Sequence, residues 1–269
     1  MGIFEAITLG IVQGITEFLP ISSSGHLILI RDLLGMDVVG SLAFDAVLQL
    51  ATTFAVILYF SRDLWLITQT ALRKLGRLPV NQRDLTLLYA LLIGTVPAVI
   101  MGVLLESYMN TVFRSSILVA GVLVAGSLLF IYAEWMYFKT VPQNNLTRMT
   151  GFKIGLFQCL ALIPGMSRSG ATIAGGMLLG LSRSEAARFS FLLSIPILLG
   201  SGGKKLIDLI QAPEQAVNFL PLLIGSAVAF ATGLWAIHFL LNFIKTHTLW
   251  PFIWYRLLLA AFVFYTYWL

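Results

Sequence analysis

The chain has 269 residues, of which 58% are hydrophobic and 11% charged, with a formal net charge of +5. Soluble globules carry about 25% charged residues, so the composition excludes an ordinary water-soluble domain and makes lipid the solvent. The positive surplus does not point to nucleic acid, because the basic residues collect in short connections between apolar runs, as positive-inside topology requires. A single cysteine, Cys159, excludes an internal disulfide. Met1-Gly2-Ile3-Phe4-Glu5 lacks the basic opening of a secretory signal, and Glu17 stands where a small-residue cleavage site would follow.

Spanning the hydrocarbon takes about 20 apolar residues. The first apolar run, Gly2–Leu19, does not continue; it leads through Pro20-Ile21-Ser22-Ser23-Ser24-Gly25 into Leu27–Leu34, which is far too short to cross. Ser41–Phe60 reads as the first full crossing, followed by a basic connection over Arg62–Arg83. Leu85–Leu105 and Ser116–Phe138 are the next two crossings. After the connection Lys139–Lys153, a second broken region begins. Gly151–Ile163 leads through Pro164-Gly165-Met166-Ser167-Arg168-Ser169-Gly170-Ala171-Thr172 into the short run Ala171–Leu181. Glu185–Gly202, Val217–Phe243 and Pro251–Leu269 complete the set. The expectation is an all-α integral membrane protein with six transmembrane helices and two re-entrant helical hairpins.

The two broken regions echo each other. Gln13 and Gln158, Gly25 and Gly170, and Gly35 and Gly180 are each separated by 145 positions. Both copies run Gly-x-x-Gln, then Pro, a serine cluster, Gly, and an apolar segment ending Leu-Leu-Gly. Leu91-Leu92-Ile93-Gly94-Thr95 recurs as Leu222-Leu223-Ile224-Gly225-Ser226, with Gly102 matching Gly233. Polar and glycine positions recurring in order favour duplication over chance, with repeats over about 1–138 and 151–269 of a single membrane domain. If the broken regions are hairpins, three crossings per repeat make the repeats antiparallel and bring both loops to the bilayer midplane.

Charge then sets orientation. Arg62, Arg73, Lys74, Arg77 and Arg83 lie two crossings away from Lys139, Arg148 and Lys153, so the two groups share a side, which positive-inside topology assigns to the cytoplasm. Lys245, Arg183 and Arg188 join them. Arg31, Arg114, Lys204 and Lys205 fall on the other side, together with both termini.

The polar residues of the broken loops are the candidates for chemistry. An arginine at bilayer depth costs roughly 2.5–3.5 kcal/mol on insertion scales, so Arg168 calls for an anionic partner. Ser167 and Arg168 open a helical segment whose free N–H groups and dipole attract anions. Arg168 with Ser167, Ser169 and Thr172 is a phosphate clamp in outline. The first loop brings Gln13 and Glu17, four apart on one helix face, with Ser22, Ser23, Ser24 and His26. Glu17 with phosphate oxygens makes a shell for Mg²⁺ or Ca²⁺, and His26 near a hydroxyl is a base or a nucleophile. The competing reading makes Glu17 and Arg168 a buried ion pair that only joins the repeats, and the serines only helix caps. Asp45 and Gln49 read as polar supports of the loop, His238 and His247 as structural, and Trp250, Trp254 and Trp268 as interface anchors.

Gln13-Gly-Ile-Thr-Glu17-Phe-Leu-Pro-Ile-Ser-Ser-Ser-Gly-His26 and Pro164-Gly-Met-Ser-Arg-Ser-Gly-Ala-Thr172 resemble the two signature motifs of the undecaprenyl-pyrophosphate phosphatases of the bacitracin-resistance type, and length and hydropathy agree over essentially the whole chain. The resemblance implies a catalytic core of Glu17, Ser23, His26 and Arg168, with Ser22, Ser167 and Thr172 as supporting hydroxyls. It also implies inverted re-entrant hairpins, a divalent cation, and a site open to the periplasmic face of the bacterial plasma membrane. Position 13 departs from the pattern, with Gln where other members carry Glu; Gln13 adds no charge to a metal shell. A second type of lipid phosphatase, built on Pro-Ser-Gly-His and Ser-Arg-x₅-His, is excluded because the next histidine after Arg168 is His238.

The sequence therefore predicts hydrolysis of a polyprenyl pyrophosphate to the monophosphate and phosphate, recycling a carrier lipid for cell-wall synthesis. Gln13, Ser22, Ser167, Ser169 and Thr172 would bind substrate, and Glu17 would hold the cation. The attacking group is Ser23, His26 or a metal-bound water; the sequence leaves these open. A homodimer is compatible with the sequence. The competing class is an inverted-repeat transporter or lipid flippase with an anion site.

Overall fold

The computed structural model describes residues 2–35, 41–105, 115–211 and 219–268. Among them are eleven α-helices and no strand: α1 Ile3–Phe18, α2 Ser23–Leu34, α3 Ser41–Tyr59, α4 Ser61–Leu75, α5 Gln82–Leu104, α6 Ser116–Lys139, α7 Arg148–Leu160, α8 Arg168–Leu178, α9 Arg183–Gln211, α10 Phe219–Thr246 and α11 Trp250–Trp268. Arg114, expected on the outer side, and the extreme ends Val217 and Leu269 of two expected crossings lie outside the described residues.

Four helices, α5, α6, α9 and α10, are long and apolar enough to cross a membrane, and α3 with α4 makes a fifth candidate bent by 77°. The bend is a feature the sequence reading lacked, having taken the segment after Arg62 as a connection. α4 is amphipathic rather than apolar: Asp63 opens it, Arg73 and Lys74 close it, and Trp65, Leu72 and Leu75 stand exposed along it. Its charged ends suit the helix dipole. α11 has 19 residues but is not among the candidates; Arg256 and many tyrosines and tryptophans lower its apolarity. α9 runs past the expected stop at Gly202. A side chain there would meet Leu50 of α3, whose nearest atom is 2.7 Å from the position of a Cβ, so this glycine makes room for a neighbour rather than ending the helix.

α1, α2, α7 and α8 have only 16, 12, 13 and 11 residues, and at 1.5 Å per residue none reaches across about 30 Å of hydrocarbon. Two of them lie backbone to backbone on long helices. A Cβ on Gly151 would be 2.4 Å from the Ala90 carbonyl oxygen, and one on Gly155 would be 2.2 Å from that of Gly94. α7 and α5 therefore run parallel in constant register. α1 and α10 do the same, with Gly10 against the Gly225 carbonyl at 2.5 Å and Gly14 against that of Ala229 at 2.6 Å.

The core between these pairs holds Phe18 edge-on to Phe191 at 5.6 Å and Phe60 against Phe191 at 6.1 Å. Several buried or half-buried charges are paired. Glu134 of α6 accepts from both Arg183 Nε, at 3.0 Å, and Arg183 Nη2, and from the Leu249 N–H at 2.7 Å. Arg31 grips Asp45 with two bonds of 2.6 and 2.5 Å, and Arg188 meets Asp63. Asp45 thus has the supporting role expected of it, while the Gln49 carbonyl accepts from the hydroxyls of Thr52 and Thr53.

The glycine contacts yield a direct test. Gly155→Ala is expected to lower the thermal unfolding midpoint in detergent, since overpacking of this kind costs typically 1–3 kcal/mol, roughly. Gly121→Ala, with open space around the added carbon, is expected to leave it unchanged or raise it. Equal midpoints would remove close α5–α7 packing as a determinant of stability.

Candidate active site

The two polar loops close on each other. α1 carries Gln13 and Glu17 on one face of its last turns, and the chain leaves the helix through Leu19, Pro20 and Ile21. Ser22 then takes a positive φ of 78°, and its hydroxyl caps α2 by accepting the Gly25 N–H at 3.4 Å. The second loop repeats the device: Ser167 has φ 73° and caps α8 through the Gly170 N–H at 3.1 Å. Positive φ in a non-glycine residue costs on the order of 1–3 kcal/mol and tends to cluster at functional sites. The left-handed stops match as well, with Gly35 at φ 60° after α2 and Gly180 at φ 88° after α8.

Bonds between the loops are direct. The Gly165 N–H donates to Ser22 Oγ at 3.0 Å, and Ser169 Oγ donates to the Leu19 carbonyl at 3.1 Å. Arg168 Nη2 donates to Glu17 Oε1 at 2.9 Å, spanning 151 positions of sequence. On the other carboxylate oxygen, Gln13 Nε2 donates at 3.0 Å and Ser23 Oγ at 2.6 Å. Glu17 is 6% exposed, so these bonds operate in a low-dielectric setting where they are strong.

The predicted residues divide in two. Glu17, Gln13, Ser23 and Arg168 form one contiguous cluster. The hydroxyls of Ser22, Ser167, Ser169 and Thr172 are buried and hold the loops: Thr172 Oγ1 lies 2.6 Å from Ser190 Oγ and donates to the Arg168 carbonyl at 2.8 Å. His26 stands apart from Ser23. Its Nδ1 lies 2.7 Å from the Ser22 carbonyl, which can only accept, so that nitrogen carries the proton. Its Nε2 then accepts from the Tyr255 hydroxyl at 2.7 Å. The proton acceptor placed on Ser23 is Glu17, not the imidazole.

The ion-pair reading is therefore met in part, since Glu17 and Arg168 are bonded. It does not use all of Arg168. Nη1 is buried and has no hydrogen-bond partner among the described residues, and an unsatisfied buried donor is destabilising unless a ligand completes it. The first-turn N–H groups of Ser23 and Ser24, and of Arg168 and Ser169, belong to the set that helix geometry leaves without carbonyl partners. A cationic donor beside helix starts is the kind of arrangement that phosphate oxygens suit chemically.

A divalent cation was also implied by the sequence. Among the described residues no three His, Cys, Asp or Glu side chains gather. The oxygen donors present, Glu17 and the Gln13 amide carbonyl, fit an ion of the Mg²⁺ type, which binds through one or two carboxylates and completes its shell with substrate phosphates and water. Gln158, the counterpart of Gln13, is equally buried but has no partner among the described residues, and Leu162 stands where a second Glu17 would be. The carboxylate is confined to the first loop.

Two residues on α11 were missed. Tyr255 holds His26, and Arg256, with no exposed surface, donates to both loops. A single charge inside an apolar run was the available signal; the run was read as a crossing and its tryptophans as interface anchors, and Arg256 was not singled out. His238 and His247 stay outside the site, one beside the Tyr59 hydroxyl at 3.2 Å, the other stacked on Phe243.

This paired-loop geometry occurs in a chain with close relatives. The undecaprenyl-diphosphatase of Trichlorobacter lovleyi is 42% identical over 257 residues, covering 95% of this chain and 94% of that protein. The undecaprenyl-diphosphatase of Alteromonas mediterranea is 41% identical over 261 residues, 97% of each chain. That of Micrococcus luteus is 39% identical over 263 residues, 97% of this chain and 95% of the other. The family model described as bacitracin resistance protein BacA matches residues 6–262, a stretch that includes both loops and α11 as far as Phe262; the chain belongs to that family.

Proposed function

We propose that this protein is an integral membrane phosphatase that hydrolyses undecaprenyl pyrophosphate to undecaprenyl phosphate and inorganic phosphate, recycling the carrier lipid for cell-wall synthesis. Relatives bearing the name undecaprenyl-diphosphatase match at about 40% identity over nearly the full chain, which supports the reaction. The observation that carries the site assignment is the unpartnered Arg168 Nη1 beside the Glu17–Ser23 bond.

In this reading the pyrophosphate enters with its terminal phosphate against Arg168 Nη1 and the first-turn amides of α2 and α8. Ser23 Oγ attacks the terminal phosphorus as its proton passes to Glu17 Oε2. The bond from phosphorus to the bridging oxygen breaks, and the lipid monophosphate departs. A phosphate monoester has its second pKa near 6, so this leaving group needs little protonation. The departing monophosphate carries the Ser23 proton away, which restores the Glu17 carboxylate. Glu17 then takes a proton from water as the water oxygen attacks phosphorus; the bond from phosphorus to Ser23 Oγ breaks, phosphate leaves, and Glu17 returns the proton to Ser23 Oγ. Arg168 neutralises charge on the phosphoryl oxygens, the usual protein contribution to phosphoryl transfer. Gln13 orients Glu17, and His26 holds the Ser22 turn from below. Glu17 and the Gln13 carbonyl would hold a Mg²⁺ or Ca²⁺ ion, which when bound supplies further neutralisation of the pyrophosphate.

We also propose the finer membrane arrangement. α1–α2 and α7–α8 are re-entrant hairpins, α3, α5, α6, α9, α10 and α11 cross the bilayer, and the two halves form an inverted repeat. The matched serine caps, the matched left-handed glycines and the two parallel glycine-mediated pairings support this. Positive-inside topology supports placing the termini on the periplasmic side, and the resemblance of the two loop motifs supports a site that opens to the same side.

Purified protein in detergent is expected to release phosphate from undecaprenyl pyrophosphate. Glu17→Ala, Ser23→Ala and Arg168→Ala are each expected to lower kcat/KM by about a hundredfold or more, the scale of removing a transition-state contact. Activity surviving both Glu17→Ala and Arg168→Ala would remove the site assignment. Anion flux in liposomes without hydrolysis would favour the transporter instead.

Chelation is expected to stop turnover, and added Mg²⁺ or Ca²⁺ to restore it; hydrolysis unaffected by chelator would exclude the cation. For topology, single cysteines at Arg73 and Lys204 in a Cys159→Ser background are expected to be labelled from opposite faces. Labelling of both from the same face would overturn the three-crossing repeat.

A further inference from the structure

Arg256 is the largest fully buried side chain among the described residues, and the mechanism above does not use it. All five of its N–H groups are engaged. Nε donates to Ser127 Oγ at 3.2 Å, Nη1 to the carbonyls of Pro20 at 3.4 Å and Met166 at 3.1 Å, and Nη2 to those of Leu123 at 3.1 Å and Gly165 at 3.0 Å. The Phe130 ring lies beneath, 4.7 Å from the guanidinium carbon. Gly126 leaves the space: a Cβ there would come within 2.2 Å of Nη2.

Two features of this arrangement exceed what bracing the loops requires. First, every acceptor is neutral. Arg168 is matched by the Glu17 carboxylate, whereas among the described residues Arg256 has no carboxylate in hydrogen-bond contact. An uncompensated buried charge is expensive and sets a positive potential over the low-dielectric space around it. Second, the carbonyls point in a defined direction. In a trans peptide the C=O and the following N–H point oppositely. Drawing the Met166 carbonyl toward Arg256 therefore turns the Ser167 N–H away from it, at the start of α8. The peptide is a dipole aligned from the guanidinium toward the anion position, and hydrogen bonds in such a series polarise one another.

We propose that Arg256 is a positioning residue of the anion site: its uncancelled charge provides the site's net attraction for pyrophosphate, and its bond to Met166 aims the Ser167 amide at it. This rests on the phosphatase reading for the identity of the anion. Arg256 touches no substrate and acts through the loop backbone. Arg168, neutralised by Glu17 until a ligand arrives, serves the reacting phosphoryl group instead.

The test separates charge from bracing. Ser127→Asp sets a carboxylate beside Arg256 Nε and cancels its charge while the carbonyl bonds remain; Ser127→Asn is the neutral control of equal size. Binding of inorganic pyrophosphate, measured by titration calorimetry without reference to turnover, is expected to weaken about tenfold or more in Ser127→Asp and to stay within about twofold of wild type in Ser127→Asn. Arg256→Lys, which keeps charge but loses the planar fork, is expected to raise KM with a smaller change in kcat. Pyrophosphate binding by Ser127→Asp equal to that of Ser127→Asn overturns the proposal. So does unfolding of both Ser127→Asp and Arg256→Lys while Ser127→Asn folds, since Arg256 is then a brace alone. Wild type that binds pyrophosphate but fails to hydrolyse the lipid would sink the phosphatase reading and leave the charge comparison decisive.

Discussion

A backbone that leaves helical geometry inside an apolar environment must still satisfy its N–H and C=O groups, because no water is there to do it. The structure meets that demand by closing one break with the other. Ser22 takes the Gly165 amide, Ser169 gives its proton to the Leu19 carbonyl, and Arg256 collects carbonyls from both loops. Neither loop could hold its shape alone. The site follows from this closure, since the same approach that satisfies the backbone sets Arg168 on Glu17 and Glu17 on Ser23.

The Glu17–Arg168 bond looks at first like the structural alternative to catalysis. The geometry combines the two roles. A carboxylate that accepts from Arg168, Gln13 and Ser23 is held in place and aimed, and aim is what a general base requires first. An arginine that spends one nitrogen on that carboxylate and keeps another unpartnered is orientated without being used up. Under the proposed function, the ion pair is the resting arrangement of the anion site, and the contacts that stabilise it are the ones the chemistry would use.

Much of this was legible in the sequence. The helices α5, α6 and α10 lie where uninterrupted apolar runs placed them, and the two breaks fall at the proline–serine–glycine clusters. Helix α4 escaped because its apolar residues are interleaved with charge, so a search for crossings passes over it. Helical spacing put Gln13 and Glu17 on one face and the motif echo paired their loop with that of Arg168, whereas the choice of Ser23 among the serines came from the family resemblance. The partners contributed by α11 were not readable: Tyr255 lies 229 positions from His26, and helical periodicity carries no information across such a distance. For the same reason the assignment of His26 to Ser23, natural for neighbours in sequence, gives way to a pairing that only the packing of α11 creates.

The glycine contacts have a bearing on how the molecule is put together. α1 rests backbone to backbone on α10, and α7 on α5, so each polar break belongs to one half of the chain and its supporting wall to the other. The segment joining the halves, residues 140–147, carries no part of this mutual support. The two halves are clasped like interlocked hands rather than set side by side, and an enzyme built this way has no independently complete module to lose, exchange or shed.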